Sequence, residues 1–235
     1  GTIIKAFVKI RKPIWLNLEL LGKETRLIGK LQRNLMKVYF APKSRAVRTV
    51  WLLEEIGLPY ELEKFQLGQK EMRAPDYLAI NPNGRVPTLV DSDVTITEST
   101  AIAQYLAAKY APNLAPSPDA PNFADYLQWL HYAEGMIMPP INNYVVETIL
   151  LPPERRNDEI AKRALKLLNR TLSAVEKHMK EREFLADHFT IADTITGHAV
   201  IMARRFDADF SLLPNLSNYA DRLEIRPAFQ RAEAV

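Results

Sequence analysis

The sequence predicts a small mixed α/β domain followed by an all-helical one, and three observations carry that prediction. From Met36 to Tyr110, strand-like and helix-like stretches alternate in the order βαβαββα. Residues 111–121, APNLAPSPDAP, then place four of the sixteen prolines in one short run, which reads as a linker between domains. Beyond that linker every segment carries helical spacing of its apolar residues. The expected boundaries are therefore an extension over 1–35, an α/β domain over 36–110, a linker over 111–121 and a helical domain over 122–235.

Residues 1–35 do not resemble the rest of the chain. They are basic and partly amphipathic, and Pro13 would interrupt a helix there. A targeting segment or a surface-binding helix is one reading. The plainer reading, which we favour, is a non-core extension before a natural start at Met36.

From Met36 the pattern sharpens. MKVYFA alternates as a strand, with Val38 and Phe40 on one face and Tyr39 and Ala41 on the other. Pro42-Lys43 turns the chain, and a helix runs from Ser44 through WLLEEI to Gly57. Ser44 is a residue type whose hydroxyl accepts from an orphan N–H of a first helical turn. Residues 60–65 form a second strand, and Asp76–Ile80 a short helix that stops at Asn81-Pro82-Asn83-Gly84, a turn signal. Val86–Val90 reads as a third strand, Asp91-Ser92-Asp93 as a three-residue turn and Val94–Ile96 as a fourth strand. Pro87 inside a strand is anomalous, because proline cannot donate to a ladder. Thr97-Glu98-Ser99 opens the next helix. The strand–helix–strand unit implies a parallel pair, and the late hairpin an antiparallel one.

In the second half, Phe123–Met138 is an amphipathic helix expected to stop at Pro139-Pro140. Glu154 to about Lys180, Thr190–Phe206, Leu216–Leu223 and a last turn near Ala228 complete the set. Thr190-Ile191-Ala192-Asp193 is a capping box, so Asp193 is first a folding device.

Composition narrows the chemistry. There is no cysteine, which excludes disulfides, thiolate metal sites and a protein thiol nucleophile. The four histidines are scattered without ligand spacing, so no metal is expected. The net charge of +3 is carried by residues 1–36, with eight Lys/Arg against two Glu; the remaining 23 basic and 26 acidic residues leave a slightly acidic body. Nothing there favours nucleic acid. No apolar run reaches the ~20 residues of a membrane span. A cytoplasmic protein is expected.

The order and spacing of VYFAPKSRAVR, WLLEE, NPNGRVPTLV, ITES, FTIAD and PNLSNYADRLEIRPAFQRA resemble cytosolic glutathione transferases from Met36 to the end, closest to a fungal and bacterial group. The resemblance implies a thioredoxin-like N-terminal domain with a mixed four-stranded sheet, an all-α C-terminal domain, glutathione as co-substrate without a further cofactor, a small hydrophobic electrophile and a homodimer. It implies a cis Val86–Pro87 bond, with the Val86 backbone pairing the cysteinyl part of glutathione. Glu98 and Ser99 match the pair that holds the γ-glutamyl group, the first on its ammonium and the second on its α-carboxylate. Arg85, with Arg73 or Lys70 beside it, is placed to meet the glycyl carboxylate.

Two residues compete as the thiol-activating group. Ser44 at a helix N-terminus is one candidate, with Arg45 adding positive field. Tyr39 is the other, since YFAPKSR can be laid on the tyrosine-type pattern. A serine-type register falls instead on Ala41 and a cysteine-type register on Arg45, so the chain departs from both. Trp129, Tyr132, Met136 and Met138 lie on the helix that faces the second-substrate cleft in that family. The expected activity is conjugation of the glutathione thiolate to an apolar electrophile, with peroxidase activity as a further expectation. The alternative is a non-catalytic glutathione-transferase-like module that binds protein partners.

Overall fold

The computed structural model describes residues 35–235; the extension expected over 1–35 lies outside them except for Leu35. The first domain is built on strands β1 (Met36–Phe40), β2 (Tyr60–Lys64), β3 (Thr88–Asp91) and β4 (Val94–Thr97), in the spatial order β2-β1-β3-β4. β1 pairs parallel with β2 and antiparallel with β3, and β3 pairs antiparallel with β4. Helices α1 (Ala46–Ile56), α2 (Pro75–Ile80) and α3 (Ser99–Tyr110) surround it.

The period-2 alternation of β1 divides the core. Val38 and Phe40 join the main core with Val50, Trp51 and Leu53 of α1. Tyr39 and Ala41 enter a second cluster with Phe65, Met72 and Tyr77. Gly57 ends α1 at φ +76, as a left-handed residue after a helix does.

Strand β3 begins at Thr88, two residues later than its sequence suggested, so Pro87 stands outside the ladder and its missing N–H leaves no gap there. The hairpin turn is likewise tighter, with only Ser92 and Asp93 between paired Asp91 and Val94. A short 3-10 turn over Lys70–Arg73, unforeseen from the sequence, precedes α2.

The helical domain contains α4 (Phe123–Tyr132), α5 (Met138–Val145), α6 (Asp158–His178), α7 (His198–Arg205), α8 (Pro214–Glu224) and α9 (Pro227–Glu233). The stop expected at Pro139-Pro140 does not occur. A π-helical stretch, Ala133–Ile137, joins α4 to α5, and the two prolines occupy the opening positions of α5, where a missing N–H is tolerated. Helix α6 starts four residues later than expected because Asn157 caps it, accepting from Glu159 N at 3.0 Å and Ile160 N at 3.2 Å. Ile160 is exposed, and Ala161, Ala164, Leu168, Leu172 and Val175 form the buried face.

The Thr190–Asp193 box forms. Asp193 accepts from Thr190 N at 2.9 Å, while Thr190 Oγ1 accepts from Ala192 N at 3.2 Å. Asp193 also takes Leu185 N at 3.0 Å and the Tyr219 hydroxyl at 2.8 Å, which ties three segments of the helical core together. No described helix is long and apolar enough to cross a membrane.

Candidate active site

A pocket of about 260 Å³ opens where the first domain meets the π-helical stretch Ala133–Ile137 and α5. Its first wall is the loop between α2 and β3. Buried Asn81 organises that loop: its Nδ2 donates to Arg85 O at 2.8 Å and to Thr88 Oγ1 at 3.0 Å, and its Oδ1 accepts from Asn83 N at 3.1 Å. The Tyr77 hydroxyl donates to the same Arg85 carbonyl. Gly84 sits at φ +55, and a Cβ there would lie 2.5 Å from Met72 O, so only glycine lets the loop close on itself. The Val86–Pro87 bond is cis. Val86 and Pro87 line the pocket, and neither the N–H nor the C=O of Val86 has a hydrogen-bond partner among the described residues. A backbone edge of this kind is available to an extended peptide.

The second wall is the start of α3. Glu98 holds φ +69, a left-handed conformation that costs a non-glycine residue about 1–3 kcal/mol. Its carbonyl still accepts the first helical bond, from Ile102 N at 2.9 Å, and its side chain is exposed at the pocket. Ser99 beside it is buried, and its Oγ accepts from Arg48 Nη1 at 3.1 Å.

The third wall crosses the domain boundary. Glu134, in the π-helical stretch, receives Arg45 Nε on both carboxylate oxygens at 2.9 and 3.0 Å and Arg48 Nη1 at 2.6 Å. Arg48 also donates from Nε to His198 Nδ1 at 3.3 Å. Burial lowers Arg48 to about 10, opposed by the adjacent Glu134 carboxylate. Burial pushes Glu134 up, but Arg45 and Arg48 together hold it below the usual carboxylate range. Burial, with the neighbouring arginines, keeps His198 well below its usual value, so it stays neutral and serves as acceptor.

Arg85, Val86, Pro87, Glu98 and Ser99 line this one pocket together. Arg85 and Glu98 also border an adjoining recess with Arg73, Pro82 and Asn83. Ser44 lies at the turn before α1; its hydroxyl donates to Ala41 O at 2.7 Å and accepts from Ala46 N at 3.1 Å. The next residue, Arg45, lines the pocket.

Tyr39 is not brought there. Its ring packs 5.0 Å from Tyr77 and 6.2 Å from Phe65 in the second core, because β1 alternation turns it away from α1. Trp129 and Tyr132 are not brought there either. Trp129 stacks 4.4 Å from His178, and the Tyr132 hydroxyl donates to Thr171 O at 3.2 Å, so the face of α4 that carries them packs on α6. Met136 is 46% exposed and Met138 is buried in the core. The helical-domain residues that line this pocket are Glu134 and Asn142.

Sequence reasoning missed Arg48, Glu134, Asn142 and Asn81. A charged residue on the apolar face of α1, between Val47 and Trp51, was a signal for Arg48. A second cavity of about 440 Å³ adjoins the Ser44 turn, lined by Pro42 and Lys43 with Phe40, Val47, Met202 and Phe206. No cluster of potential metal ligands occurs among the described residues.

Comparison with known proteins agrees with this architecture. The glutathione S-transferase N-terminal domain model matches residues 35–108, and the C-terminal domain model matches residues 137–227. Glutathione S-transferase 4 of Zea mays is 32% identical over 199 residues, covering 82% of this chain and 89% of the maize protein. A disulfide-bond oxidoreductase of Escherichia coli is 29% identical over 212 residues, covering 84% of this chain and 94% of its own. A glutathione transferase from Phanerochaete chrysosporium, solved with oxidized glutathione, superposes with a TM-score of 0.77 at 26% identity, covering 85% of this chain and 93% of that one. The chain belongs to the glutathione S-transferase family, and glutathione is its co-substrate.

Proposed function

We propose that this glutathione transferase binds the tripeptide along the Val86–Ser99 wall and conjugates its thiolate to a small hydrophobic electrophile, as a cytoplasmic homodimer. The observation that carries the reading is the convergence of an unpaired backbone edge at Val86, an exposed carboxylate at Glu98 and a buried hydroxyl at Ser99 in one pocket. The edge suits the cysteinyl backbone. Glu98 pairs the ligand ammonium, and Ser99 with the α3 N-terminus takes the α-carboxylate. Arg85, with Arg73 beside it, meets the glycyl carboxylate.

Thiol activation belongs at the Ser44 turn. A thiol of ordinary pKa ~8.5 becomes a thiolate at neutral pH when a donor and positive potential face it. The N-terminus of α1 and Arg45 supply potential there, and the Ser44 hydroxyl supplies a donor when its hydrogen rotates from Ala41 O to the sulfur. The sulfur then attacks the electrophilic carbon, an S–C bond forms, and the leaving group departs with its electron pair. The cavity beside the same turn, where Phe40, Val47, Met202 and Phe206 stand with Lys43, Arg205 and Glu233, offers a largely apolar lining for that second substrate.

Glutathione calorimetry together with a chromogenic aryl-halide assay tests the reading. Binding with turnover is expected; binding without turnover supports a non-catalytic module, and no binding sinks the proposal. Ser44→Ala should raise the bound thiol's pKa by about 1 unit in an absorbance titration. An unchanged curve assigns activation to the helix N-terminus and Arg45. Sedimentation should give a dimer; a monomer overturns that part.

A further inference from the structure

Ser99 is held from behind. Its Oγ accepts from Arg48 Nη1 at 3.1 Å, and no other side-chain hydrogen bond reaches it among the described residues. A guanidinium only donates, and a hydroxyl has one hydrogen to give. The bond to Arg48 therefore occupies an acceptor lobe of Ser99 and leaves its O–H available at the pocket surface that Ser99 lines.

The same Nη1 lies 2.6 Å from Glu134 Oε1, and Nε lies 3.3 Å from His198 Nδ1. One side chain of the first domain thus contacts the ligand-facing serine of its own domain and two residues of the helical domain. A buried guanidinium serving only as a structural link would be expected to have its donors satisfied. Arg48 is 1% exposed, yet its Nη2 has no partner. The donors that are satisfied are the ones directed at Ser99, Glu134 and His198.

We propose that Arg48 is a positioning residue: it sets the Ser99 hydroxyl as a hydrogen-bond donor to the ligand's α-carboxylate, and through Glu134 it couples that setting to the contact between the two domains. The inference rests on the glutathione reading above. Arg48 acts first on glutathione affinity, and it reaches the thiol end only indirectly, through the Glu134 carboxylate that it shares with Arg45.

A double-mutant cycle in the full chain tests it, with glutathione calorimetry on wild type, Ser99→Ala, Arg48→Met and the double variant. Each single variant should weaken binding about 10-fold, as losing a charge-assisted bond does. The double variant should be no weaker than about 20-fold, because both changes remove the same donor. Arg48→Met should raise the glutathione KM by a larger factor than it lowers kcat. Arg48→Lys, which keeps a donor, should recover part of the affinity. An additive loss near 100-fold, or Arg48→Met binding glutathione like wild type, would overturn the proposal. Should Arg48→Met fail to fold, the cycle with Arg48→Lys is judged by the same additivity. A wild type that binds no glutathione overturns both readings; tight binding with additive variants overturns this one alone.

Discussion

The first two walls of the pocket differ from the third in how they are made. The Asn81–Ser99 wall is largely local: Asn81, Tyr77 and Gly84 shape the loop through contacts two to twelve residues apart. The Arg45–Arg48–Glu134 wall is remote, closed by ion pairs 89 and 86 residues apart. The local wall carries the unpaired Val86 edge and the exposed Glu98 carboxylate, and only Ser99 at its end is tied to the remote wall, through Arg48. The remote wall carries groups that are paired among themselves. The difference teaches that binding groups and the groups that hold them in place come from opposite ends of the contact-order scale.

The largest effect expected is on the local wall. Gly84→Ala should cost about 3 kcal/mol, since a Cβ at positive φ meets the Met72 carbonyl and the loop cannot yield cheaply. Thermal melting checks stability, and glutathione calorimetry should show affinity lost with it. A stable variant with intact binding would break the claim that this loop is rigidly specified.

Next comes Glu98. Glu98→Gly should weaken glutathione binding about 30-fold while leaving stability within about 1 kcal/mol of wild type, because glycine occupies φ +69 without strain. Unfolding by urea together with calorimetry separates the two effects. A variant that is both less stable and fully able to bind would reverse the assignment of strain to function.

The remote wall responds to pH. His198 is held neutral in the fold, below its usual 6.5, by burial and nearby arginines. The unfolded chain binds the extra proton more readily, so stability tied to neutral His198 is complete above about 6.5 and is lost as pH falls below it. His198→Asn, which keeps an acceptor for Arg48, should flatten the fall in stability between about pH 7 and 5 by about 1 kcal/mol. Equal slopes for variant and wild type would show that His198 does not set the acid sensitivity of the domain contact.

The smallest effect tests the helix face outside the pocket. Tyr132→Phe should cost about 1 kcal/mol through the lost bond to Thr171 O, with no change in KM for an electrophile. A raised KM with unaltered melting would put that face back in the substrate cleft.

The sheet, its helices and the local wall were legible because their signals are short range. Alternation at Val38–Ala41, the Asn81–Gly84 turn and the Glu98-Ser99 helix start each act within a few residues. The placement of Pro87 was misread by two residues because strand length, unlike strand existence, is set by pairing with β1 and β4. The helix past Pro139-Pro140 was missed because a π-helical stretch is invisible in apolar spacing. Tyr39 and Trp129 were ambiguous for one reason: an aromatic at a core period looks the same whether its face meets another helix or a ligand. Arg48 left a trace in the sequence as a charge on an apolar helix face, but its pairing with Glu134 was out of reach because it depends on how the two domains dock.

The central claim is that the γ-glutamyl end of the peptide is gripped at Glu98 and Ser99. Calorimetry of glutathione against cysteinylglycine, which lacks that end, tests it most directly. The account predicts binding weaker by about 100-fold or more for the shorter peptide, the loss of one ion pair and one carboxylate contact. Equal affinity for the two peptides would contradict it.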